Sequence, residues 1–156
     1  FRMISTSRFS VWSFPVPEPD DDGQFDSEKL FDRVRSLKYD DARNASVVER
    51  KQTNTAKETT LIYGEVPFSA MKQILDTVFD EEMIVEQEQQ DRRLKFVDLG
   101  SGAGRPCIAA ACLRPSFSSV RGIELLQNLH ELALQSKDEF DNILKDEGKS
   151  KSQSKI

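Results

Sequence analysis

Histidine is almost missing from this chain: one in 156 residues, His130. Cysteine is nearly as scarce, with Cys107, Cys112 and no Cys-x-x-Cys pair. These shortages remove the donor sets from which zinc and related sites are built, so no metal is expected. The two cysteines lie five residues apart in one predicted helix and point to different faces. That argues against a disulfide between them and for a reducing intracellular setting. No apolar run approaches the roughly 20 residues of a membrane-spanning helix. Basic residues are outnumbered, 22 Lys and Arg against 27 Asp and Glu, for a formal net charge of −5. Broad nucleic-acid binding, which relies on clustered Lys and Arg, is therefore not expected. A hydrophobic share of 37% beside a charged share of 31% suits one domain of modest core with part of the chain unpacked.

The first residue is Phe rather than Met, and the chain reads as a fragment of a longer product or one from which a segment was removed. Residues 1–26 read as a flexible segment, in which Pro15, Pro17, Pro19 and Asp20-Asp21-Asp22-Gly23 form a linker. Residues 27–59 read as a helical or irregular arm. Leu30, Phe31, Val34 and Leu37 recur at helical spacing behind Ser27, a candidate N-cap, whereas residues 40–60 are polar and fit either a surface helix or irregular chain. A strand-like run, Thr59 to Tyr63, then turns at Gly64 and Pro67 into a helix from about Ser69, with Met71, Ile74, Leu75, Val78 and Phe79 on one face. Glu81 to Arg93 reads as a charged connector.

The informative stretch is Phe96-Val97-Asp98-Leu99-Gly100-Ser101-Gly102-Ala103-Gly104. Apolar residues run into an acid and then into glycines at every second position, and an Ala- and Cys-rich helix follows. This predicts a strand, a tight turn and a helix N-terminus, the first unit of a nucleotide-binding α/β sheet. Gly100 and Gly102 permit positive φ and close backbone approach, and Gly104 lets the helix pack closely. The helix N-terminus favours an anionic group. A dinucleotide motif would need Gly or Ala at position 105, where Arg105 stands before Pro106. Asp98 followed by Gly100, Gly102 and Gly104 instead resembles the first motif of class I S-adenosylmethionine-dependent methyltransferases. Asp98 suits that cofactor's ammonium and the helix N-terminus its carboxylate. A second β-favouring run, Val120 to Glu124, ends in an acid 20 residues beyond Gly104. A carboxylate at the tip of an adjacent parallel strand is suited to ribose hydroxyls. Leu125, Leu126, Leu129, Leu132, Ala133, Phe140, Ile143 and Leu144 then mark one long amphipathic helix, with His130 an ordinary boundary residue. Residues 146–156 read as a disordered tail.

Tyr63-Gly64-Glu65 reads either as a plain turn whose Tyr packs on the next helix or as a lid over the cofactor. Together with the glycine motif and Gly122-Ile123-Glu124, over roughly residues 60–145, it resembles the non-SET histone-lysine methyltransferase family (disruptor of telomeric silencing type). The resemblance implies a Rossmann-like class I methyltransferase fold, here its first two parallel strands with flanking helices behind an N-terminal arm. It implies S-adenosylmethionine as cofactor, a core-histone lysine in the nucleosome as acceptor, and a nuclear location. By resemblance Tyr63 and Glu65 enclose the cofactor, Asp98, Gly100 and Gly102 hold its methionyl part, and Glu124 holds the ribose. Gly104 and Arg105 complete the candidate set. Arg105 departs from the family, whose members often carry an amide or small polar residue there, and its guanidinium suits the cofactor carboxylate. No residue is assigned to catalysis, since the strand that shapes the lysine channel has no counterpart in this sequence. The alternatives are methyl transfer to a non-histone protein or small molecule, an inactive cofactor-binding or interaction module, and a cytoplasmic location.

Overall fold

A computed structural model describes residues 10–15, 17, 26–34, 38–79 and 94–153, the last six by backbone only. Its elements run β1 (Ser10–Phe14), α1 (Ser27–Asp32), α2 (Tyr39–Gln52), a 3-10 turn (Thr59–Leu61), α3 (Phe68–Val78), β2 (Lys95–Leu99), α4 (Arg105–Leu113), β3 (Ser119–Glu124) and α5 (Gln127–Gln153). The charged connector at 81–93, most of the proline linker and residues 154–156 lie outside the described residues.

The fold is mixed α/β, with a sheet ordered β1-β3-β2. β2 and β3 run parallel, Asp98 opposite Gly122 and Leu99 opposite Ile123. β1 runs antiparallel along the other edge of β3, Trp12 opposite Gly122. This strand corrects the expectation of a flexible segment throughout 1–26. Ser10–Phe14 alternates, Val11 and Ser13 exposed, Trp12 and Phe14 buried. That period of two gives β1 an apolar face to lay on the core.

The helices cover one face of the sheet. α4 touches all three strands, α5 touches β1 and β3, α1 and α3 pack on the outside of α4, and α2 packs on α5. α4 is thus enclosed on both sides, and its residues Cys107 to Cys112 are at most 1% exposed. An α-helix apolar all round belongs in such a place. Cys107 and Cys112 are both free thiols. On the opposite face of the sheet Val97 and Leu99 are exposed, together with Val11.

One open alternative is resolved and two further expectations are revised. Residues 39–52 are helical, carrying Asp40 and Asp41 in the first turn and Arg50 and Lys51 in the last, as the helix dipole favours. Thr59 to Tyr63 is a 3-10 turn followed by extended chain, because it lies apart from the sheet and has no strand to pair with among the described residues. The final helix continues through Gln153 rather than ending in a disordered tail from 146, its polar turns propagating from the packed stripe Leu126, Leu129, Ala133 and Phe140. α3 begins one residue before its expected start, with Met71 and Leu75 buried and Ile74 and Val78 half exposed. Among the described residues no helix is long and apolar enough to cross a membrane.

Candidate functional site

The strand–loop–helix unit is built as its residue types require. Gly100, Gly102 and Gly104 all adopt positive φ, at 80°, 56° and 86°, conformations open to glycine without a Cβ penalty. Their crowding differs. A Cβ on Gly100 would meet nothing within 4 Å, one on Gly102 would lie 2.6 Å from Tyr63 Cε2, and one on Gly104 would lie 2.7 Å from Phe14 Cζ. Gly100 is therefore open to a ligand, Gly102 is the seat of the Tyr63 ring, and Gly104 is a packing device toward β1 and α5.

The loop amides are already committed. Gly100 and Ser101 donate to the Ile123 carbonyl at 2.8 and 3.1 Å, and Gly102 donates to Glu124 Oε2 at 2.7 Å. Glu124 Oε1 accepts from Leu125 and Leu126 N–H at 2.7 and 2.8 Å. The 6%-exposed Glu124 side chain thus ties the glycine loop to the start of α5. A carboxylate has roughly four acceptor positions, so three backbone donors leave space for one more.

Asp98 sits one strand away, partly buried. Burial, and then the neighbouring Glu124 carboxylate, push its carboxyl above the usual carboxylate range. Two acids sharing the carboxyl ends of two parallel strands make a place where a cation is welcome. Cys107 and Cys112 carry thiols pushed up by burial, Cys107 further by Asp98, and are inert at neutral pH.

Tyr63-Gly64-Glu65 closes over this loop. The Tyr63 hydroxyl donates to Glu65 Oε1, and burial together with that hydrogen bond keeps the phenol protonated far past its usual range. The second Glu65 oxygen lies 3.5 Å from Arg105 Nε, and the Arg105 guanidinium stacks over the Phe31 ring at 4.8 Å. The structure thus gives Arg105 partners in the turn and in α1. A cleft of about 560 Å³ is lined by Thr60 to Gly64, by Ile123 to Leu126, by Leu99 and Gly100, and by Val11 and Leu129. Tyr63, Gly100 and Glu124 line it, while Glu65, Asp98, Gly102, Gly104 and Arg105 do not.

A family model described as histone methylation protein DOT1 matches residues 44–156. The chain belongs to the DOT1 histone methylation family. The match takes in most of the chain and every candidate residue of the cleft, and it starts inside α2, upstream of the turn at Tyr63. No curated protein and no solved structure matches. Two residues that act on the cleft lining from outside it were invisible to sequence reasoning. Glu49 of α2 accepts from Gln127 and Asn128 N–H, both at 2.7 Å, and the neighbouring Arg50 donates to the Ala56 and Glu58 carbonyls at 2.8 and 3.0 Å. An acid beside a base at the end of a polar helix carries no signal of such distant partners.

Proposed function

We propose that the chain supplies the cofactor site of an S-adenosylmethionine-dependent protein-lysine N-methyltransferase, with a core-histone lysine in the nucleosome as acceptor and the nucleus as location. The fold is read accordingly as part of a Rossmann-like class I methyltransferase. One observation carries the reading within the DOT1 family: Asp98 and Glu124 stand at the carboxyl ends of adjacent parallel strands, where burial and then the Glu124 carboxylate raise the cost of charge on Asp98. A ligand that brings positive charge relieves that cost. S-adenosylmethionine carries an ammonium and a sulfonium, and when bound it supplies an electrophilic methyl group.

The residues present fit it. Gly100 offers bare backbone to the cleft, where any side chain would intrude on a ligand. Asp98, outside the lining but next in sequence to the lining residue Leu99, would hold the ammonium, and the remaining acceptor position of Glu124 one ribose hydroxyl. Tyr63 and Glu65, latched to each other and to Arg105, would keep water from the loop. The work of such a site is alignment and desolvation. The acceptor lysine must arrive neutral, against an ordinary pKa near 10.4, and that task falls to the acceptor channel rather than to this cleft.

Isothermal titration of the 156-residue chain with S-adenosylmethionine tests the proposal. Binding is expected, weakened at least about tenfold by Asp98→Asn, the loss of one charge-assisted contact. No binding by the unaltered chain, or equal binding by the variant, would sink the assignment. A second reading, the same chemistry on a non-histone protein or small molecule, draws support from the net charge of −5. Retained cofactor binding with no nucleosome association even at low salt would favour it.

A further inference from the structure

Four successive backbone N–H groups, Leu125 to Asn128, emerge where β3 gives way to α5. Two carboxylates take all four: Glu124 the first pair, Glu49 the second. The turn that forms one wall of the cleft is therefore gripped from two sides, once from β3 and once from α2. The grip by α2 is reinforced by Asn128 Nδ2, which donates to the Ala45 carbonyl at 3.4 Å.

The residue after Glu49 reaches the other way. Arg50 is 8% exposed, and its guanidinium holds the carbonyls of Ala56 and Glu58 while its own carbonyl accepts from Thr55 N–H at 2.8 Å. This folds the chain back directly ahead of Thr60 to Gly64, a second segment of the cleft lining. Neither side chain lines the cleft. One short stretch of α2 nevertheless holds two of the segments that line it, and charge-assisted bonds to backbone are the stronger kind and are lost only at some cost.

We propose that Glu49 and Arg50 are positioning residues that hold the lining of the cofactor cleft in place, Glu49 through the β3–α5 turn that carries Glu124 and Arg50 through the segment that carries Tyr63. The proposal rests on the reading of this cleft as the S-adenosylmethionine site and adds a control point outside it. It makes the arm a part of the binding machinery, although the arm offers no atom to the ligand.

Amide hydrogen exchange and cofactor titration on the full 156-residue chain test it, with the melting temperature as control. Glu49→Ala is expected to speed exchange at Gly102, Leu125 and Leu126, whose hydrogen bonds are to Glu124 and not to Glu49. It is also expected to weaken S-adenosylmethionine about tenfold, as the loss of a charge-assisted hydrogen bond implies. Glu49→Gln keeps one carbonyl acceptor and should recover part of both effects; it decides the matter if the alanine variant does not fold. Phe140→Leu, lower on α5, should cost stability and leave the affinity within about twofold. Faster exchange confined to Gln127 and Asn128, with affinity unchanged, would overturn the proposal, as would an equal loss of affinity in Phe140→Leu. If the unaltered chain binds no cofactor, the reading of the cleft fails, and exchange at Gly102, Leu125 and Leu126 still decides whether Glu49 holds the turn.

Discussion

At the scale of single residues, the site trades stability for charge. Asp98 is held above its ordinary range by burial and by Glu124. A carboxyl whose folded pKa is raised binds its proton more tightly in the native state than in the unfolded one. Its ionisation therefore weakens the fold as pH rises from the unfolded value near 3.8 through the native one. Asp98→Asn removes that cost. The variant should melt a few degrees higher than the parent at pH 7, the gap shrinking as pH falls below the native Asp98 value, while its cofactor affinity drops. Thermal melts across pH 4–8 check this, and a variant less stable at pH 7 would contradict it. Glu124 behaves differently, since its carboxylate answers three backbone donors. Removing it strands buried N–H groups, so alanine is a poor probe of its ligand role and glutamine a better one.

At the scale of elements, β1 is the piece that makes the sheet and helices fit. Gly122 on β3 lies beneath it: a Cβ there would sit 2.6 Å from Ser101 Oγ and 2.8 Å from Trp12 Cζ2. Trp12 in turn packs against the His130 ring of α5, the centroids 4.8 Å apart and the planes tilted by 53°, and Phe14 fills the space over Gly104. Gly122→Ala should destabilise by about 1–3 kcal/mol, the usual cost of overfilling a packed site. Gly64→Ala, where a Cβ meets nothing within 4 Å, should stay within about 0.5 kcal/mol. Urea unfolding of both variants measures the difference. Gly122 was legible as part of the Gly-Ile-Glu pattern, but its reason was not: the crowding comes from a tryptophan at the other end of the chain.

At the scale of the whole molecule, the described helices lie on one side of the sheet, and the other side carries exposed apolar residues, of which Val11 and Leu99 also line the cleft. Val11 is 56% exposed, Val97 51% and Leu99 77%, and among the described residues β2 stands at the end of the sheet order with β3 on one side only. Unpaired strand edges beside apolar surface invite association. The chain should self-associate as concentration rises, and Val97→Lys, a charge on that strand away from the cleft, should suppress it severalfold. The substitution should change stability by no more than about 0.5 kcal/mol. Sedimentation velocity over a concentration series distinguishes this from a chain that stays monomeric in both forms.

What the sequence determined alone is the local unit, Asp98, the three glycines, the buried helix behind them and Glu124 at the end of the next parallel strand. Turn chemistry and hydrophobic period are properties of neighbouring residues and need no knowledge of the rest of the chain. What only the tertiary structure decided is how these parts are held. Glu49 meets amides 78 and 79 residues away, Trp12 meets Gly122, and Arg105, read from the sequence as suited to the cofactor carboxylate, meets Glu65 and Phe31. Such pairings arise from packing between elements distant in sequence, and a polar helix or a short alternating run looks the same on paper whether or not a partner waits for it.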